Sequence, residues 1–146
     1  MSGGVGRWAL RLATALTLGF TKIGLMPDGG ATATVAAAIG RTRAMRLALL
    51  SDLIGAQGAF DAGLVSHVFA DDDYDDGLSK VVRKLASGPP LAQAATKKAV
   101  NAATLDRLPD AFQRERAGQS VLLRSDDAAE GMKAFNEKRR PEFRGR

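Results

Sequence analysis

Residues 20–40, FTKIGLMPDGGATATVAAAIG, hold the transition that sets the fold class. The first seven, FTKIGLM, alternate enough to predict a short strand or extended segment. Pro27-Asp28-Gly29-Gly30 is a turn signal, because proline fixes φ and glycine admits positive φ. Residues 31–39, ATATVAAAI, then predict a helix ended by Gly40. The segment at 20–26 is one of two short extended pieces in a chain whose body reads as mostly α.

Outward from this stretch the chain reads as mostly helical. Residues 42–50 predict a helix with Ala44, Leu47 and Ala48 on one face. Asp52 to Gly55 reads as a turn, residues 56–62 as a short helix closed by Gly63, and residues 64–69, LVSHVF, as a second short strand. Asp71 or Asp72 offers a cap for a helix whose Leu78, Val81, Val82 and Leu85 fall at i, i+3, i+4 and i+7. Gly88-Pro89-Pro90 stops it. Residues 91–104 predict an alanine-rich helix. Residues 108–123 predict another, with Leu108, Ala111, Phe112, Gln119 and Leu122 on one side and Glu115 between them as a polar patch for a helix contact or a subunit interface. Ser125 or Asp126 caps a last helix that runs to about Asn136, and Pro141 ends regular structure. Residues 1–19 carry only a weakly amphipathic pattern behind Gly3, Gly4 and Gly6.

Bulk composition narrows the classes of function. The 146 residues suffice for one modest core. Aromatics are only 5% and alanine is abundant, which favours close-packed helices over an aromatic-rich sandwich. There is no cysteine and one histidine, His67, so a thiolate nucleophile is excluded and metal sites or Ser-His-Asp triads have little room. His67, within a short strand, reads as structural. The net charge of +5 invites polyanions. However, Asp71, Asp72, Asp73, Asp75 and Asp76 form an acidic block, and the positive excess sits at the C-terminus, in Lys138, Arg139, Arg140, Arg144 and Arg146, while the first 27 residues hold Arg7, Arg11 and Lys22 and no acidic residue. A small basic nucleic-acid-binding protein therefore stands only as an alternative, without an aromatic-basic motif behind it. Residues 9–19 look faintly like a signal sequence, but Arg11 interrupts the apolar run, and no segment approaches the roughly 20 apolar residues of a membrane span. The reading is a cytoplasmic protein without membrane contact.

Five separated segments together resemble the enoyl-CoA hydratase/isomerase (crotonase) family. They are FTKIGLMPDGG at 20–30, GRTRAMRLALL at 40–50, AFDAGLV at 59–65, GPPLAQAATKK at 88–98 and SDDAAEGMKAFNEKRRPEF at 125–143. Their order and spacing carry the resemblance, which covers roughly residues 20–143. It implies the C-terminal part of a crotonase-like spiral fold, mostly helical here. On this reading, residues 1–69 are an incomplete remnant of the α/β core and residues 70–146 a helical region that takes part in oligomerisation. The family packs such helices between subunits as a trimer or hexamer, with residues 108–136 at the interface. An incomplete core also predicts exposed apolar surface around residues 20–39.

The resemblance implies acyl-CoA thioesters as ligands, with coenzyme A as part of the substrate and no separate cofactor or metal. Family chemistry uses two N–H groups to stabilise an enolate. One donor lies in sequence that this chain lacks, and Gly3-Gly4-Val5-Gly6 is similar to the start of the helix that carries the other. Hydratases add two glutamates. No acidic residue precedes Asp28, and Phe20 stands where the second glutamate would fall. The chain is therefore expected to be truncated and impaired in hydration. Asp28 matches the catalytic aspartate of the dienoyl-CoA isomerase branch and implies a proton shuttle, with the pocket completed by another chain. The other reading of Asp28 is a cap for the helix after Gly29-Gly30. Gly29 and Gly30 allow close approach of a ligand, or serve the turn alone. Phe135 and Lys138 match positions that contact coenzyme A, the lysine near its phosphates. Otherwise they are a core ring and a solvated charge.

Overall fold

The computed structural model describes residues 9–146. Gly3, Gly4, Val5 and Gly6, similar to a family glycine motif, lie outside the described residues. The elements in chain order are β1 (Ala9–Arg11), β2 (Ala15–Leu16), a 3-10 helix (Gly19–Ile23), α1 (Ala31–Ile39), α2 (Arg41–Leu50), β3 (Ile54–Gly55), α3 (Ala56–Asp61), β4 (His67–Phe69), α4 (Tyr74–Ala86), α5 (Pro90–Thr104), α6 (Leu108–Leu122) and α7 (Asp126–Asn136). Seven α-helices and four short strands among the described residues make the chain α/β and mostly helical. No helix of the described residues is long and apolar enough to cross a membrane.

The chain divides into two compact units that interleave along the sequence, a different partition from one drawn in chain order at residue 69. The first takes in residues up to Leu16 and Ile54–Thr104. Within it β1 pairs in parallel with β4, Leu10 opposite Val68, and β2 pairs antiparallel with β3. Leu10, Ala56, Ala59 and Val65 form its buried core, with Leu16, Ile54, Leu64 and Val68 packed around them. Parallel strands need a long crossover, so no local pattern in residues 9–16 announces these strands. Around β1, Arg11 lies over the Tyr74 ring, 4.3 Å from its centroid, and donates to the Asp71 carbonyl at 2.9 Å. The N-cap of α4 falls at Asp73, without a side-chain bond, rather than at Asp71 or Asp72, because the Asp71 carboxylate accepts instead from Ala13 N–H. Neither α4 nor α5 buries a residue, and Val82, Leu85, Leu91 and Val100 stand exposed.

The second unit comprises Thr17–Leu53 and Leu105–Arg146. Here residues 19–23 are a 3-10 helix, not the strand that their alternation predicts. The cause is nonlocal. The Thr21 hydroxyl donates to the Ala48 carbonyl at 3.0 Å and accepts from the buried Ser51 hydroxyl at 2.8 Å, whose one proton is shared with Leu18 O at 3.2 Å, fastening the turn to the end of α2. Helix α7 crosses this turn at backbone contact. A Cβ on Gly131 would lie 2.5 Å from the Ile23 carbonyl carbon, and one on Gly24 would lie 2.8 Å from the Asp127 backbone. Two hydrogen-only residues, one on each partner, thus set the closeness of this crossing. Alanines complete the packing, since Ala111, Ala128 and Ala134 are fully buried. Exposed apolar side chains do not gather at 20–39, where the large ones are half-buried and Ile39 is buried. Leu49, Leu50 and Leu53 near the end of α2 are exposed instead.

Candidate functional site

Gly30 ends the turn that launches α1, and its φ of 82° is open to glycine at little cost. Its backbone is tightly covered, because a Cβ there would meet Leu108 Cδ1 at 2.9 Å and the Phe112 ring at 3.1 Å. A helix start leaves N–H groups without intrahelical acceptors. At α1 these are met by Glu115 from α6. Gly30 N–H donates to Oε2 at 2.7 Å, Thr32 N–H donates to Oε1 at 3.0 Å, and the Thr32 hydroxyl also donates to Oε1. Glu115 is only 2% exposed. Burial pushes its carboxyl up, but the Thr32 hydroxyl first, then the Gly30 and Thr32 N–H groups and the Arg114 charge, outweigh it. The carboxyl is held below the usual carboxylate range. The polar patch expected at Glu115 is thus a helix contact that caps α1.

Asp28 therefore does not cap α1. Its carbonyl accepts Ala31 N–H at 3.0 Å, while its exposed carboxylate accepts from Gln119 Nε2 at 3.1 Å through Oδ2. The other end of the same amide, Gln119 Oε1, accepts Met26 N–H at 3.3 Å. Glu115 and Gln119 lie one helical turn apart, so α6 grips both sides of the Pro27–Gly30 turn. Asp28 Oδ1 has no hydrogen-bond partner among the described residues. Gly29 is exposed and faces open space, with nothing within 4 Å of an added Cβ.

A second feature of the same unit is a cleft of about 620 Å³ lined by Lys22, Gly131, Phe135, Lys138, Arg139, Arg140, Pro141 and Phe143. Phe135 is 74% exposed and Phe143 is 44% exposed. The side chains of Lys22, Lys138 and Arg140 make no hydrogen bond or ion pair among the described residues. Arg139 differs. It forms a fork with Glu130 at 2.5 and 2.8 Å and bonds Glu137 at 2.7 Å. Arg139 foremost, then the Glu142 N–H, holds the Glu130 carboxyl down at about 2. The fork ties the end of α7 to the chain that follows, where Lys138 turns with a φ of 54°.

The anticipated residues thus fall into two groups. Asp28, Gly29 and Gly30 share one turn, and Phe135 and Lys138 share one cleft whose lining includes none of those three. Gly30 differs from Gly29 in having its N–H occupied by Glu115 and its face covered. Sequence reading alone did not find Lys22, Arg140 or Phe143, which are distant or unpatterned in the chain. Nor did it give Glu115 or Gln119 their partners, although helical spacing put both on one face. His67 stacks on Phe69 with centroids 5.8 Å apart and its Nδ1 lies 2.8 Å from Ser66 Oγ, in the first unit.

Comparison with known proteins matches residues 10–146 to the model of the enoyl-CoA hydratase/isomerase family. A curated relative from Rhodobacter capsulatus, named "Probable enoyl-CoA hydratase", is 40% identical over 134 residues, which cover 92% of this chain and 52% of that protein. The 1,2-epoxyphenylacetyl-CoA isomerase of Escherichia coli is 36% identical, over 88% of this chain and 49% of its own length. Among solved structures, an enoyl-CoA hydratase from Mycobacterium avium subsp. paratuberculosis superposes with a TM-score of 0.92 at 51% identity, covering 93% of this chain and 55% of that one. The chain spans about half the length of the curated relatives it matches.

Proposed function

This chain belongs to the enoyl-CoA hydratase/isomerase family, and from that premise we propose that it binds acyl-CoA thioesters, with the coenzyme A phosphates in the cleft of Lys22, Lys138 and Arg140. The observation that carries this reading is the cleft itself, lined by three cations without side-chain partners among the described residues and by two exposed phenylalanine rings. Ammonium groups suit phosphate as point charges, and a guanidinium suits it as a fork. A ring such as Phe135 offers a face to a purine. Arg139 is left out of the cation set because Glu130 and Glu137 already occupy it. Coenzyme A enters as part of the substrate, not as a cofactor. With this reading go a cytoplasmic setting and assembly as a trimer or hexamer, for which Val121, Leu123 and Met132, exposed on or just after α6 and on α7, offer apolar surface.

Isothermal titration with acetoacetyl-CoA, beside an unrelated oligonucleotide, tests the proposal. Binding of the thioester that weakens in both Lys22→Gln and Lys138→Gln supports it. Equal binding by the variants, or preference for the oligonucleotide, overturns it.

A second reading concerns chemistry, and the bond from Gln119 to Asp28 favours it. Phe20 has no ionisable group, so two-carboxylate hydration has no support from that position. One oriented carboxylate can instead move a proton between carbons. From a β,γ-unsaturated thioester Asp28 takes a proton at the α carbon, the C–H electron pair delocalises over the thioester and the adjacent double bond as a dienolate, and the proton returns to the γ carbon. The double bond shifts and the carboxylate is regenerated, so atoms and charge balance. In this reading another chain completes the pocket.

A further inference from the structure

We propose that Gln119 is a positioning residue that aims the Asp28 carboxylate. This rests on the reading of Asp28 as the proton shuttle. Three observations converge on it. First, the Asp28 Oδ2 atom receives the Gln119 amide N–H at 3.1 Å, while Oδ1 has no partner among the described residues. One oxygen is thus held and the other left to exchange a proton. Second, the Gln119 amide cannot turn over without loss. Its Oε1 is held by Met26 N–H at 3.3 Å, which fixes the N–H end toward Asp28. Third, the natural competitor for the carboxylate is removed. A carboxylate three residues before a helix start is drawn towards its positive end and its free N–H groups. Here Glu115 occupies those of Gly30 and Thr32, so Asp28 is kept off the helix.

Helix α6 therefore separates two jobs that one turn would otherwise give to one carboxylate. Glu115 neutralises the start of α1, and Gln119 orients Asp28. Both come from positions four apart on one helix, so a single rigid element sets both. A carboxylate held by one hydrogen bond loses less rotational freedom when it reaches the reacting geometry than one free in solvent. The gain belongs to turnover rather than binding, because Gln119 is assigned no contact with the ligand.

The experiment measures exchange of the α-protons of an acyl-CoA thioester with D2O, catalysed by the full chain, as kcat and KM. The variants are Asp28→Asn, Gln119→Met and Gln119→Glu. Gln119→Met keeps the length and loses both hydrogen bonds. Gln119→Glu still accepts from Met26 N–H but no longer donates to Asp28. Asp28→Asn is expected to lower exchange on the order of 100-fold or more. Both Gln119 variants are expected to lower kcat about tenfold with KM unchanged and a native melting transition. Full kcat in Gln119→Glu, with Asp28→Asn inactive, overturns the positioning role and leaves the shuttle standing. Full activity in Asp28→Asn, or no exchange by the wild-type chain assembled with the chain that completes its pocket, overturns the shuttle and the positioning role together.

Discussion

Glu115 Oε2 accepts the Gly30 N–H at 2.7 Å, a buried bond between residues 85 positions apart. It joins the glycine turn to α6 and leaves Asp28 outside the helix it precedes. The carboxylate acts as a remote cap, and it stabilises α1 in two ways, through charge-assisted bonds and through the positive end of the helix.

Removing this cap is expected to cost about 2–3 kcal/mol of stability, because the buried donors lose their acceptor. Glu115→Ala should show it as a lower denaturant midpoint. Glu115→Gln, which keeps only one accepting oxygen, should fall between the two. A midpoint unchanged in Glu115→Ala would mean that water replaces the carboxylate without loss.

Stability should fall in acid, and the sign follows from the two depressed carboxyls. Glu115 and Glu130 both lie below their ordinary value in the folded chain, Glu130 at about 2 against 4.5. Such groups contribute above the unfolded value, and the contribution is lost as pH falls through the folded one. The wild type should therefore lose stability between about pH 4.5 and about pH 2. Glu130→Gln should flatten that slope, which chemical denaturation across this range measures. An unchanged slope would sink the assignment to Glu130.

Gly131→Ala should destabilise more than Gly118→Ala. At Gly131 the added carbon meets the Ile23 backbone, which cannot step aside without moving the 3-10 helix. At Gly118 it meets only the Met26 side chain, which is flexible. Overpacking of the first kind costs about 1–3 kcal/mol. Thermal melts of the two variants side by side decide the order.

Thioester binding at the lysine cleft should weaken with salt. Between about 0.1 M and about 1 M ionic strength the screening length falls from roughly 10 Å to roughly 3 Å. The salt sensitivity should shrink in Lys22→Gln, since fewer cations then face the phosphates. Titrations at several salt concentrations check this, and salt-independent binding would point to the rings alone.

Where a helix is set by its own residues, the sequence by itself determined it. Residues 31–39 form α1 as read, ended at Gly40. Ala44, Leu47 and Ala48 form the inward side of α2. Ser125 caps α7, accepting Ala128 N–H at 3.1 Å, and α7 ends at Asn136. Caps and 3.6-residue periodicity act within one or two turns of chain, so they are written locally. The five spaced segments likewise placed the family. Tertiary structure alone decided the rest. FTKIG became a 3-10 helix because Thr21 bonds Ala48 and Ser51. Residues 9–11 became a strand because β4 lies beside them. Asp28 lost the capping role to a glutamate on α6, and Lys22 joined Lys138 in one cleft. Each of these rests on a partner far away in the chain, and a pattern that repeats every two or four residues carries no information about such a partner.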